Sequence, residues 1–401
     1  MREIVIVGNG IAGLTAGEAL RNAGFDGTLR IVGDEPHPPY SRPALSKSVL
    51  LEPGHPTSHV LPAAEHGATI LPGRAVGLDR ERRRVFLADG TDLPYDGLVI
   101  ATGSRARRLA TGEGATGEFT LRGVDDALAL RNALSDRPPV VVVGGGALGM
   151  EIASACLEQG CAVTLAAHGQ PLSRQLGGHL SALLLAAATE RGLRLAPPAA
   201  GLHHSGDATA VELADGRLLE PGVVVTAAGD LPNTGWLEDS GLLVADRLEA
   251  DSRGRIAPGI VAAGDVTSIP TRRGRMRLPF WTSAIDQAKT AALGLLHGDA
   301  APESEPQPYF WTEQFGSTLK ASGFLPLGET PDYQEPGKTG GTLMRWTHAD
   351  GTGTAVALDY RMPIPRLRRF AQAGPALTGS IEAGTLEVAA ARDSSGGASG
   401  F

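Results

Sequence analysis

Gly8, Gly10 and Gly13 are spaced Gly-x-Gly-x-x-Gly, and Asp34 follows 21 residues after the last of them. This spacing serves the binding of a dinucleotide. Gly8 permits a tight turn, Gly10 lets the backbone approach a pyrophosphate, and Gly13 lets a helix lie close on a strand. The first N–H groups of that helix offer donors and a positive dipole to phosphates. Asp34, with Glu35 beside it, can accept from a ribose hydroxyl. Glycines alone mark only a turn, so the assignment depends on their flanks. Ile4–Val7 is an apolar run of strand length, a helical run continues through Ala23, and Leu29–Val32 is a second apolar strand that leads into Asp34. Strand, glycine turn, helix, strand and acid therefore stand in the order the chemistry needs.

The arrangement recurs. Val140–Val143 reads as a strand, Gly144, Gly146 and Gly149 form the turn, Met150–Gln159 the helix and Ala162–Ala166 the next strand. A hairpin recurs with it. Val85–Gly103 and Val211–Gly229 align without a gap and match at 9 of 19 positions; both contain Val-x-Leu-Ala-Asp-Gly and both close on Ala-x-Gly, at Ala101-Thr102-Gly103 and at Gly229. One Asp-Gly turn can align by chance, but turn, strand and closing glycine together indicate two copies of one nucleotide-binding unit, hence two nucleotides.

The 401-residue chain is 42% hydrophobic and 20% charged, which fits two or three globular domains. Its net charge of −8 argues against general nucleic-acid binding. No apolar run reaches membrane-spanning length, and the chain starts directly with a strand, so a cytoplasmic protein without a signal peptide is expected. Cys156 lies in a predicted helix and Cys161 at the next strand; buried thiols are expected there rather than a working disulfide. His55, His59 and His66 are interrupted by Pro56 and Pro62, which favours a solvated loop over a metal site. Pro-rich residues 35–43 should not be helical before Ala44, and a short helix is expected from Leu45. Pro-Gly-Ile-Val-Ala-Ala-Gly264-Asp265 is a strand ending at an acid; a basic loop with Arg272, Arg273, Arg275 and Arg277 follows, and Trp281–His297 has helical periodicity. After a linker at Pro302–Pro308 come strands at Thr342–Trp346 and Gly353–Leu358 and a helix from Ile364.

Two such units with Ala101-Thr102-Gly103 and Gly264-Asp265 resemble the flavin-dependent pyridine-nucleotide oxidoreductases. Tyr40-Ser41-Arg42-Pro43-Ala44-Leu45-Ser46-Lys47, Ala284–Ala288 and Phe310–Gly316 are similar to the ferredoxin reductase branch, which also contains putidaredoxin reductase, rubredoxin reductase and apoptosis-inducing factor. The resemblance covers Ile4 to about Phe370. It implies an α/β fold with two Rossmann-like dinucleotide-binding domains of glutathione reductase type and a small α+β C-terminal domain. The expected division is 1–110 with 231–305 for FAD, 111–230 for NAD(P), 306–392 for the C-terminal domain and 393–401 as a disordered tail. It assigns FAD contacts to Ala12, Asp34, Arg42, Lys47, Val76, Arg122, Asp265 and Trp281, and places NADH or NADPH on Gly144–Gly149. Glu151 would reach the nicotinamide carboxamide, and Lys47 would pair with Glu151 near the flavin. The implied activity is electron transfer from NAD(P)H through FAD to a ferredoxin-type iron–sulfur protein serving a monooxygenase or dioxygenase, in a monomer or homodimer. An acidic ferredoxin needs a basic patch, for which the 272–277 arginines are candidates, followed by Arg366, Arg368 and Arg369; a solvated loop is the plain alternative.

Three features depart from that pattern. Ala167 stands where the family has the acid that holds the adenosine ribose of NADH; His168 and Arg174 can instead meet the 2′-phosphate of NADPH. Pro279-Phe280-Trp281 makes the flavin surroundings more apolar. The C-terminal domain is short. These departures leave two alternatives: a repurposed flavoenzyme acting directly on a small molecule, and a redox-responsive binding protein like apoptosis-inducing factor.

Overall fold

The computed structural model describes residues 1–52, 59–62, 66–110, 117–205, 208–328, 330–338 and 340–374. Eleven elements matter for the site. In chain order they are β1 (Glu3–Val7), α1 (Ile11–Asn22), β2 (Thr28–Gly33), β3 (Gly97–Ile100), β4 (Val140–Val143), α2 (Ala147–Glu158), β5 (Val163–Ala166), β6 (Val223–Thr226), β7 (Ile260–Ala262), α3 (Trp281–His297) and β8 (Tyr309–Gln314).

β1, β2, β3 and β7 share a six-stranded sheet in the order Arg255–Ala257, β7, β3, β1, β2, Thr69–Pro72. β4, β5 and β6 share a five-stranded sheet in the order Arg194–Ala196, β5, β4, β6, Glu118–Phe119. The central strands pair in parallel. That explains their composition. A parallel sheet covered on both faces needs continuous apolar runs rather than alternation, and every residue of β3 and β4 is buried. Each valine, leucine or isoleucine so removed from water contributes roughly 1.5–3 kcal/mol.

The two halves repeat residue by residue. β1 pairs with β3, and β4 with β6. The hairpin before each closing strand turns at Gly90 (φ +87°) or Gly216 (φ +83°). The sheet of β1 is completed by β7, which lies on the far side of the second unit in sequence. A five-stranded antiparallel sheet follows, in the order β8, Ser317–Ser322, Gly353–Leu358, Thr342–Thr347, Tyr333–Pro336. The helix Ile364–Ala373 packs on it through Leu367, Phe370 and Ala371.

Some expectations are corrected. Arg42–Ala44 forms a single 3-10 turn, because Pro43 at an early helical position lacks only an N–H that would go unused there. The basic segment is a hairpin, Thr267–Thr271 paired with Gly274–Met276, not a loop. His66 is buried rather than solvated: its ring lies under Gly17 of α1 and accepts from the Ala68 N–H. His59 meets the Ser48 hydroxyl at 2.9 Å. His55 and the 393–401 tail lie outside the described residues. Among the described residues no helix is long and apolar enough to cross a membrane.

Candidate functional site

The first glycine turn is shaped by contacts that no side chain could survive. Gly8 has φ +119°, and a Cβ on it would sit 2.1 Å from the Ala101 carbonyl oxygen. A Cβ on Gly13 would sit 1.9 Å from the Gly8 carbonyl oxygen. Gly8 therefore packs the end of β1 against the end of β3, and Gly13 packs α1 against the turn after β1. Gly10 differs: a Cβ there would meet nothing within 4 Å. Its missing side chain leaves open space directly over the start of α1, where a pyrophosphate needs room.

That space belongs to a cavity of about 580 Å³. Gly8, Gly10, Ala12, Asp34, Glu35, Arg42, Lys47, Ala101, Thr102, Gly103, Arg122, Glu151, Gly264, Asp265 and Trp281 all line it. One wall is a polar network. The Tyr40 hydroxyl donates to Glu35 and accepts from the Val124 N–H at 3.0 Å. Arg42 pairs with Glu35 and donates to the Arg122 carbonyl at 2.8 Å. Burial draws the Arg42 guanidinium down, but Glu35 and Tyr40 outweigh it and hold it above its usual value. Burial, with Glu35 adding to it, also pushes the Tyr40 phenol well above its ordinary range, so it stays a neutral donor. Arg122 pairs with Asp265 at 2.8 Å and donates to the Ser104 carbonyl. Trp281 opens α3, whose first turn has no side-chain cap; Phe280, Trp281 and Ala284 line the cavity, so the helix's positive end stands at its wall.

At the far end stands an ion pair between a part-buried lysine and a buried carboxylate. Lys47 Nζ lies 2.8 Å from Glu151 Oε2 and 3.1 Å from the Pro43 carbonyl. Glu151 is 7% exposed. Its carboxylate also accepts from Ser46 Oγ at 2.5 Å and from Thr312 Oγ1 at 2.7 Å. A carboxylate so enclosed is costly unless paired and hydrogen-bonded, and here it is both. Glu151 sits in the second turn of α2, and Ala147 and Leu148 of that helix line the same cavity. The cavity thus joins the first glycine turn to the start of the second.

The second turn copies the first in its packing glycines. Gly144 has φ +119°, and a Cβ on it would lie 2.3 Å from the Ala227 carbonyl oxygen; one on Gly149 would lie 2.0 Å from that of Gly144. It differs at the open position. Gln175 Oε1 accepts from the Ala147 N–H at 2.7 Å, and the Gln175 amide lies 3.5–3.8 Å from where a Cβ on Gly146 would be. Ala167, 8% exposed, packs on Gly145. His168 and Arg174 are exposed and do not line the cavity. Gly229 (φ +100°) also lies outside it and accepts from the Arg107 N–H through its carbonyl. Val76, 49% exposed on the strand Ala75–Asp79, lies outside the cavity as well.

A model of the pyridine nucleotide-disulphide oxidoreductases matches residues 2–288, which span both turns. The chain belongs to this family. It is 36% identical over 382 residues to the ferredoxin reductase component of chlorobenzene dioxygenase from Cupriavidus sp. (strain PS12), covering 91% of this chain and 87% of that one. It is 34% identical over 384 residues to the ferredoxin--NAD(+) reductase subunit of the benzene 1,2-dioxygenase system from Pseudomonas putida, covering 92% of each. Its fold matches the covalent putidaredoxin reductase–putidaredoxin complex with a TM-score of 0.81 at 27% identity, over 92% of this chain and 93% of that one.

The family name refers to a disulphide, yet Cys156 and Cys161 are free, buried and away from the cavity. Burial pushes the Cys156 thiol up to about 12. A neutral, enclosed thiol is a poor redox group. In this member of the pyridine nucleotide-disulphide oxidoreductases the Lys47 end of the cavity carries no cysteine; instead Phe280, Trp281, Tyr309, Phe310 and Trp311 wall it. Phe280 and Phe310 meet at 5.8 Å, Tyr309 and Trp311 at 6.0 Å.

The basic hairpin is less basic than its sequence. Arg272 pairs with Glu305, Arg275 with Glu249 and Arg277 with Asp230. Arg273 lies over the Phe324 ring instead. Arg368 lies 3.8 Å from Asp286, while Arg369 is exposed. Residue patterns alone miss Tyr40, Ser46, Thr312 and Gln175 as site residues. Thr312 is fully buried on β8, where it follows Tyr309, Phe310 and Trp311 and precedes Glu313 and Gln314.

Proposed function

We propose that this chain is an FAD-dependent NAD(P)H oxidoreductase that passes electrons to a ferredoxin-type iron–sulfur protein of an oxygenase system. The observation that carries the proposal is the single cavity running from the open Gly10 turn to the Lys47–Glu151 pair at the start of α2. The residues fit FAD. The space over Gly10 and the α1 N-terminus takes a pyrophosphate, Asp34 and Glu35 lie where a ribose is held, and Asp265 and Arg122 lie along the path of a ribityl chain. When bound, FAD accepts two electrons as hydride and releases them singly, which suits a one-electron iron–sulfur partner. The positive end of α3, at the cavity wall, would favour negative charge on a flavin ring held there. The α2 turn takes the second dinucleotide. Glu151 would accept from its carboxamide, with Lys47 holding the Glu151 carboxylate in place at 2.8 Å. The aromatic wall excludes water from the meeting point. The domain division that fits these roles is 1–110 with 231–305, 111–230, and a C-terminal unit from 306.

Named relatives use NAD(+), and NADH is the donor we propose first. Ala167 removes the ribose acceptor expected there, so the comparison with NADPH is part of the test. Purified protein should be yellow, bleach in a stopped-flow mixer with NADH, and reduce cytochrome c rapidly only when a ferredoxin is added. Colourless protein refutes the FAD assignment. Bleaching by an organic substrate without nicotinamide favours direct action on a small molecule, which the aromatic wall would also suit.

A further inference from the structure

Glu151 is held from two sides, and one side is the C-terminal sheet. Ser46 and Lys47 both donate to Oε2; Thr312 of β8 donates to Oε1 at 2.7 Å. Thr312 is fully buried and its hydroxyl has one proton. It also accepts from Gln314 Nε2 at 2.9 Å. The proton therefore has one place to go, and the chain has one direction: Gln314 N–H to Thr312 O–H to the carboxylate. The residue just after β8 ties it to α2 a second time, because the Phe315 N–H donates to Ser154 Oγ at 2.7 Å. Ser154 lies three residues after Glu151, on the same helix face. Two bonds one turn apart fix both the position and the rotation of β8 on α2.

We propose that Thr312, braced by Gln314, is a positioning residue for the pyridine dinucleotide, and that the C-terminal sheet thereby sets how the nicotinamide carboxamide is received. With Oε1 held by Thr312 and Oε2 by Ser46 and Lys47, the carboxylate plane cannot turn. Its one remaining lone-pair site, on Oε1, presents a fixed acceptor direction to a carboxamide N–H. Without Thr312 the carboxylate pivots about the Lys47 contact, and the acceptor is spread over several directions. This proposal rests on Glu151 being the carboxamide acceptor, and the experiment separates the two ideas.

The flavin-loaded protein and its Thr312→Val, Thr312→Ser and Glu151→Gln variants are each mixed with NADH and with the reduced 3-acetylpyridine analogue, which has no amide N–H to donate. Stopped-flow reduction gives a dissociation constant for each. Thr312→Val should weaken NADH about tenfold, the size expected for a hydrogen bond to a charged group. It should leave the analogue's affinity and the flavin content unchanged. Thr312→Ser keeps the hydroxyl and should restore NADH binding. A merely structural role would affect both dinucleotides alike. If Glu151→Gln weakens NADH selectively while Thr312→Val does not, the positioning role is wrong. If Glu151→Gln does not distinguish NADH from the analogue, the carboxamide assignment itself is wrong. Should Thr312→Val fail to hold FAD, Gln314→Leu removes the brace one bond farther out, and must weaken NADH but not the analogue for the proposal to stand.

Discussion

Replacing Lys47 with methionine removes a charge and keeps most of the volume. The consequence can be worked from the site. At 2.8 Å and an effective dielectric constant of about 20, the Lys47–Glu151 attraction is about 6 kcal/mol. Removing both ions from water costs several kcal/mol each, so the pair's net contribution is small. Removing one partner is a different matter. Glu151, 7% exposed, would remain as a buried anion, and breaking a buried pair costs about 3–5 kcal/mol. Ser46 and Thr312 still donate to it, which places the expected loss near the lower end, about 3 kcal/mol. Glu151→Gln in the Lys47→Met background removes the stranded charge and should recover much of that loss, giving a coupling of about 2 kcal/mol. Urea denaturation of the four flavin-loaded proteins, followed by tryptophan fluorescence, completes the cycle. Single variants that each change stability by under about 0.5 kcal/mol, or losses that simply add, refute the claim that the two side chains act as a pair.

Three other outcomes follow from particular contacts. Gly10→Ala should yield folded protein with much less bound FAD, because its Cβ meets no protein atom, whereas Gly8→Ala should impair folding itself, because its Cβ would lie 2.1 Å from the Ala101 oxygen; absorbance ratios and circular dichroism distinguish the two. Cys156, its thiol pushed up to about 12, should resist iodoacetamide at pH 8 in native protein and react after denaturation, as read by mass spectrometry. At Asp230 burial acts to raise the carboxyl, but the Arg277 hydrogen bond prevails and holds it below the usual range. A depressed carboxyl stabilises the fold above its unfolded pKa, about 3.9, and loses that contribution as pH falls through the folded value. Wild type should therefore melt above Asp230→Asn at pH 7, with the difference fading below about pH 4; an equal gap at pH 3 contradicts this ion pair's role.

The duplicated cradle was readable because its signals are local. Gly8 and Gly144 need positive φ, Gly13 and Gly149 need to be bare, and buried parallel strands need unbroken valine and isoleucine. Lys47 and Glu151 could be paired in advance only through family resemblance, since 104 residues separate them. The arginines of residues 272–277 show the opposite case. Four basic residues in a short run look like an exposed patch, but their acids, Asp230, Glu249 and Glu305, come from distant segments that only the folded chain assembles. Thr312 was hidden for a similar reason: a threonine among aromatic residues reads as core, and its carboxylate partner arrives from another sheet's helix. Val76, exposed on its strand, and Gly229, between two strands, lie outside the cavity, a placement that their sequence positions do not reveal.

The Gln175 amide separates the two otherwise matching cradles. Its oxygen takes the Ala147 N–H from the side, so that donor is already engaged when a visiting phosphate comes to claim it. Phosphate binding there would exchange one acceptor for another rather than fill a void. Among the described residues, nothing comes within 4 Å of where a Cβ on Gly10 would be. One sequence motif, used twice in one chain, can thus hold a resident tightly at one address and let a visitor come and go at the other.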